Sequence, residues 1–144
     1  MIAVDANILI YAHRLESPFY EHAATCMRQL AEGRSAWAIP WPCLHEFYGV
    51  VTHQRRYLPP TSPARAIKQI SFWTESPTVR LIGETPTHWS VLQDMLIASD
   101  VKGPMVHDAR IAAICLQHGV REFWTADRDF SRFPSLKCHN PLIV

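Results

Sequence analysis

The first residues alternate sharply between apolar runs and single polar positions. Ile2, Ala3 and Val4 are apolar, Asp5 interrupts them, and after Asn7 the chain turns apolar again through Ile8, Leu9, Ile10 and Tyr11. This pattern predicts a short buried strand passing directly into a helix, with Asp5 at the strand's carboxyl end. Pro18 opens the next segment, where Phe19, Ala23, Cys26, Met27 and Leu30 recur at helical spacing until Gly33 supplies a stop. Ala36 to Ile39 reads as a second strand, closed by Pro40 and Pro42. Leu44, Phe47, Tyr48 and Val51 then mark a helix carrying Glu46 in its first turns.

Beyond a proline-rich connection, Leu58 to Pro63, the residues Ala66, Ile67, Ile70 and Trp73 again recur at helical period. Val79 to Ile82 predicts a third strand, and Thr87 a cap for a helix through Trp89, Leu92, Leu96 and Ile97. After Gly103-Pro104, Asp108 opens a helix running from Ala109 to Leu116 that is apolar almost all round, the mark of burial on most sides. Gly119 ends it. Glu122 to Thr125 reads as a fourth strand with Asp127 and Asp129 just past its end, and Leu136 to His139 as an added edge strand. Strands alternating with helices imply an α/β fold: a mostly parallel sheet of four to five strands with helices on both faces, binding ligands at the carboxyl ends of its strands.

The composition of the 144 residues fits one globular domain, 1–144, with 48% hydrophobic and 19% charged residues. The longest apolar run is too short to span a bilayer and no signal-peptide pattern opens the chain, so a soluble, cytoplasmic protein is expected. The net charge of +1 argues against a sequence-blind polycation, although 11 of the 14 basic residues are Arg, which suits local phosphate contacts. The four cysteines form no C-x-x-C pair and sit among apolar neighbours, as buried free thiols do. The five tryptophans read mostly as core, with Trp41 between prolines open to exposure. His45, His107 and His118 flank apolar helices without the spacing of a zinc helix, and neither a nucleophile elbow nor a Gly-rich phosphate loop is present.

Of the 13 carboxylates, most fall on polar faces or in loops. Asp5, Glu46, Asp108, Asp127 and Asp129 do not. In a parallel sheet Asp5 and Asp127 leave the same edge, and the helix starts bearing Glu46 and Asp108 reach it too, so four carboxylates converge. Such repulsion is costly unless cations neutralise it, and an all-oxygen ligand set selects the hard ions Mg²⁺ or Mn²⁺, suited to metal-assisted phosphodiester hydrolysis. Each residue also has a plainer reading. Asp108 is a first-turn acid favoured by the helix dipole, Glu46 a solvated helix residue, Asp127 the N-cap of a short helix through Phe130 and Phe133, Asn7 a cap, and Thr125 a strand residue. Asp5 has the weakest alternative, because an acid directly after a buried strand needs a partner.

Asp5-Ala6-Asn7, Leu44-His45-Glu46-Phe47, His107-Asp108-Ala109 and Thr125-Ala126-Asp127-Arg128-Asp129-Phe130, in this order and spacing, resemble the PIN-domain ribonucleases, in particular the VapC-like toxins of bacterial toxin–antitoxin pairs. The resemblance spans essentially the whole chain. It implies a PIN-like fold, Asp5, Glu46, Asp108 and Asp127 as catalytic and metal-holding acids, and Asn7, Thr125 and Asp129 as supporting groups. It further implies an endoribonuclease using Mg²⁺ or Mn²⁺, a homodimer, and a cognate antitoxin that occupies the site. Arg14, Arg110 and Arg128 lie beside the motif acids and are candidates for contacts to RNA phosphates, each with an alternative as a surface or ion-pair residue. The competing functional reading is a catalytically silent, metal-dependent phosphate- or RNA-binding module. A haloacid-dehalogenase-like phosphatase ranks lower, because it needs a second Asp where Asn7 stands.

Overall fold

A computed structural model describes residues 1–143. Its strands are β1 (Ile2–Val4), β2 (Trp37–Pro40), β3 (Val79–Ile82), β4 (Glu122–Trp124) and β5 (Cys138–His139). Its helices are α1 (Ala6–His13), α2 (Tyr20–Glu32), α3 (Trp41–Val51), α4 (Pro63–Thr74), α5 (His88–Ala98) and α6 (Val106–Gln117), with 3₁₀ turns at Gly103–Met105 and Arg128–Arg132. The strands form one sheet in the order β3-β2-β1-β4-β5, and every pairing is parallel. The expected α/β architecture is present, with the fifth strand at the β4 edge.

Strand order fixes where a site forms. From β1 the chain steps outward through β2 to β3 and then crosses back to β4, so the connections diverge between β1 and β4. Ligands of open parallel sheets bind at such a switch point, outside the carboxyl ends of the strands. Right-handed crossovers put α1 to α4 on one face and α5 and α6 on the other. The helices pack accordingly, α1 against α2 and α3, and α5 against α6.

Burial explains the short strands. All four residues of β2 are buried, as are Ala3 and Val4 of β1. On one face Phe47, fully buried, packs edge-on between His13 and Trp73 with centroids 5.3 and 4.9 Å away; truncating such a ring to Ala costs about 3–5 kcal/mol. On the other face α6 buries Ala109, Ala112 and Ala113, whose small side chains let its backbone approach the sheet, and Ile111, Ile114 and Cys115 complete the contact.

Several boundaries differ from the sequence expectation. The helix expected from Pro18 begins at Tyr20, because Ser17 and Phe19 are held in a turn in which Tyr20 N–H bonds the Ser17 carbonyl at 3.1 Å. The third helix starts as early as Trp41, since Pro42 sits in its first turn, where a missing N–H costs nothing. Thr87 precedes α5 but makes no side-chain cap; its hydroxyl instead accepts from Gln117 Nε2 at 2.8 Å. Trp89 is exposed rather than core, whereas Trp41 is exposed as its place between prolines allowed. Gly119, at φ 70°, adopts the left-handed conformation that ends α6 at low cost. The cysteines are free thiols, with Cys26, Cys43 and Cys115 buried and Cys138 half-buried.

Candidate metal centre at the carboxyl edge of the sheet

Asp5 stands between the apolar residues of β1 and those of α1, so it is buried at the sheet's end, 4% exposed. Its backbone N–H extends the ladder to the Trp124 carbonyl at 2.9 Å. Its Oδ1 accepts from the Ala6 N–H at 2.7 Å, capping α1, and from the Cys43 thiol at 3.5 Å. Its Oδ2 accepts from the Thr125 hydroxyl at 2.7 Å and from Asn7 Nδ2 at 3.3 Å. Burial nevertheless prevails over these bonds, raising the Asp5 pKa to about 6, with the Glu46 charge pushing the same way.

Thr125 and Asn7 tie β1 to β4. The Thr125 hydroxyl, buried, accepts from Asn7 Nδ2 at 3.2 Å and from the Asp127 N–H at 2.9 Å, while Asn7 Oδ1 accepts from the Ala126 N–H at 3.1 Å. The turn after β4 is thereby fixed against α1. Asp127 follows in that turn and caps the 3₁₀ turn, its Oδ1 accepting from the Asp129 N–H at 2.9 Å. The plain capping reading of Asp127 therefore holds, and it brings Asp129 round beside Asp127.

Asp108 enters from the first turn of α6. One carboxylate oxygen each from Asp108, Asp127 and Asp129 lie within 4.8 Å of one another. Asp108 makes no cap bond to its helix, whose N-cap residue, Met105, supplies no side-chain bond either. Its pKa is raised to about 6, first by desolvation and then by the charges of Asp127, Asp129 and Glu46. Glu46 joins this field from α3: desolvation lifts its pKa, Asp127 adds to the rise, and Arg56 opposes it. Asp5 and Glu46 stand outside the close trio: Glu46 is within electrostatic reach of Asp108 and Asp127, and Asp5 meets this field through Glu46.

The donor set fits a divalent cation. Three carboxylates gathered without a Lys or Arg ion pair among the described residues store repulsion that a hard, oxygen-seeking ion relieves. Neither His nor Cys belongs to the trio, which disfavours a zinc-type site.

The candidate arginines separate. Arg14 is not free for phosphate: it pairs with Glu16, donates to the Thr61 hydroxyl at 3.0 Å and the Pro59 carbonyl at 2.9 Å, and lies 4.3 Å from the Tyr57 ring centroid. Arg110 pairs with Glu84 at 2.6 Å across the gap between α6 and the end of β3. Arg128 is exposed and lines a cleft of about 340 Å³ with Thr125, Asp127 and His139. Two participants escaped the sequence reading. Cys43, counted only as a buried thiol, donates to Asp5, and its position one helical turn before Glu46 is the signal that places both at this edge. Arg56, within the connection between α3 and α4, is the cation that acts on Glu46.

Comparison with known proteins agrees with this geometry. The PIN domain family model matches residues 2–136. Ribonuclease VapC48 of Mycobacterium tuberculosis is 30% identical over 137 residues, covering 95% of this chain and 94% of that protein. Among solved structures, VapC20 of M. tuberculosis, described as a sarcin-ricin loop cleaving toxin, superposes with a TM-score of 0.66 at 18% identity, over 91% of this chain and 93% of that one. VapBC2 of Rickettsia felis, solved bound to a DNA fragment from its promoter, gives 0.69 at 18% identity over 97% and 98%. With the family model spanning nearly the whole chain and its acids assembled at the sheet's switch point, the protein belongs to the PIN-domain family.

Proposed function

We propose that the protein is a metal-dependent endoribonuclease, the toxin of a toxin–antitoxin pair, that hydrolyses RNA phosphodiester bonds at the acid cluster. The observation that carries this reading is the carboxylate trio, Asp108, Asp127 and Asp129, with Glu46 in the same field and Asp5 coupled to Glu46. The similarity to VapC ribonucleases supports RNA as substrate, and the VapBC-type neighbours support an antitoxin partner.

Asp108, Asp127 and Asp129 would hold Mg²⁺ or Mn²⁺ through carboxylate oxygens, and Glu46 adds charge from α3. The chemistry that such an ion would supply there is neutralisation of charge at the phosphate and a lowered pKa for a water. Asp5, held on both oxygens, orders the floor of the site and completes its charge. Thr125 and Asn7 orient Asp5 and the Asp127 turn together, so the acids are arranged before substrate arrives. Arg128, free on the rim, contacts an RNA phosphate. Single-stranded RNA suits an open sheet edge, because its backbone can be splayed into the site. The active form is a homodimer, silenced when the antitoxin places a basic side chain among the acids. Among the described residues no helix is long and apolar enough to cross a membrane.

The purified chain incubated with a structured RNA pool tests this reading. Fragments are expected with Mg²⁺ or Mn²⁺, none in excess EDTA, and recovery when Mg²⁺ is restored. Undiminished cleavage in EDTA contradicts it, and RNA bound with Mg²⁺ but never cut supports the silent binding module instead. Expressed alone, the chain is expected to arrest bacterial growth; normal growth at verified expression of folded protein contradicts the toxin assignment.

A further inference from the structure

Beside the acids, a second cleft of about 330 Å³ opens between α1 and the loop after α3. Its volume falls in the range of roughly 300–1,000 Å³ usual for small-molecule sites. Asn7, Ile10, Tyr11, Val50, Arg56 and Tyr57 line it. Asn7 makes it continuous with the catalytic edge, since the same amide bonds Asp5 and Thr125. Both rings are held in place from outside the cleft: Tyr11 packs on Phe19 with centroids 5.1 Å apart, and the Arg14 guanidinium lies against Tyr57. Arg56 is exposed and makes no ion pair among the described residues, yet it is near enough to act on Glu46. Two fixed aromatic faces, an apolar floor and an uncommitted guanidinium suit a base with its phosphate, since bases stack on aromatic rings whatever their sequence and Arg binds phosphate through its planar fork.

We propose that this cleft is a nucleotide subsite: Arg56 holds the RNA phosphate next to the one that is cut, and Tyr11 and Tyr57 stack the adjoining base. The assignment rests on the ribonuclease reading for its ligand, but it is a statement about binding and can fail separately. It also accounts for the use of Arg14, which contacts no phosphate itself but fixes the ring that receives the base.

The test measures anisotropy of a fluorescein-labelled pool of short single-stranded RNA, with Ca²⁺ replacing Mg²⁺, for the full chain and three variants. R56Q is expected to weaken binding about tenfold and to lower the salt-dependence slope by about 0.7, the signature of one lost phosphate contact on a single strand. R55Q removes the same charge one residue away, outside the cleft, and is expected to stay near wild type. Y11L is expected to lose about tenfold on RNA with an unchanged salt slope, and nothing on a base-free ribose-phosphate oligomer. Because Arg56 is exposed and unpaired, R56Q tests the phosphate contact without endangering the fold. Equal losses for R56Q and R55Q, wild-type binding by R56Q, or no RNA binding at all overturn the subsite. So does a Y11L protein, folded by its thermal melt, that binds the base-containing RNA as wild type does. RNA binding unmoved by R56Q together with a weakened grip on a protein partner would assign the cleft to that partner. Cleavage in Mg²⁺ by the same wild-type preparation scores the nuclease reading: cutting with an R56Q that binds normally overturns the subsite alone, and no cutting with the predicted losses overturns the nuclease alone.

Discussion

Thr125 spends its whole hydrogen-bonding capacity on the site. One hydroxyl donates to Asp5 and accepts from Asn7 and from the Asp127 N–H, leaving nothing unsatisfied. Thr125→Val keeps the shape and removes all three bonds, stranding the half-buried Asp127 N–H and weakening the hold on a buried carboxylate. Leaving such a group unpartnered costs about 1–3 kcal/mol, so urea unfolding is expected to show a loss of that size, with Thr125→Ser close to wild type. A valine variant as stable as wild type would remove Thr125 from this role. The raised pKa values set a second expectation. In the metal-free protein Asp5 and Asp108 sit near 6, above the 3.8 of an unperturbed Asp. A carboxyl raised in the folded state binds protons more tightly there than in the unfolded chain. Its contribution is therefore fully favourable below about pH 3.8 and is lost as pH rises through about 6. The stability advantage of Asp108→Asn over wild type in EDTA is then expected at pH 7.5 and to close progressively as pH falls from about 6 toward 3.8. A gap that widens toward acid pH, followed by thermal melts, would contradict the assigned repulsion.

At the scale of elements, Arg14 joins the end of α1 to the proline-rich loop, and its side chain is only 11% exposed. Arg14→Ala is expected to speed proteolysis within residues 53–62 and to cost about 1–2 kcal/mol, with Mg²⁺ affinity unchanged. Lost Mg²⁺ affinity with an intact loop would instead place Arg14 at the site. The contrast between Arg14 and Asp5 shows what was legible in the sequence. Asp5 could be placed because its cause is local: a buried strand three residues long, an acid, and an apolar helix immediately after. The helix of Asp108 was equally readable from its apolar run. Arg14 could not be placed, since its partners lie at Pro59 and Thr61, 45 and 47 residues away, and Arg110 finds Glu84 26 residues back. Nothing in local spacing encodes such pairs. Asp129 reads as a supporting residue by position, and only the capping of the 3₁₀ turn by Asp127 carries it into the trio. Trp89 sits at core spacing on α5, yet the helix turns that side outward.

Across the whole molecule, the sheet order matters more than any one residue. Placing β1 beside β4 brings residues 5 and 125 into contact, and α3 and α6 then deliver Glu46 and Asp108 to the same edge from opposite faces. The core is formed elsewhere and holds these like charges together; the acids themselves work against the metal-free fold. A site built for chemistry at some cost in stability predicts that neutralising one acid stabilises the empty protein while removing its activity. Thermal melts of wild type and Asp108→Asn, each in EDTA and in Mg²⁺, measure this balance directly, alongside RNA cleavage by the same preparations. In EDTA the variant is expected to melt roughly 2–4 °C above wild type, corresponding to about 1 kcal/mol in a domain of this size, while its cleavage falls by orders of magnitude. Mg²⁺ is expected to raise the wild-type midpoint more than the variant's, because the tighter-binding folded state gains more. A variant that melts clearly below wild type in EDTA, or gains as much from Mg²⁺, would mean that Asp108 supports the fold and that the carboxylates do not form a shared metal site.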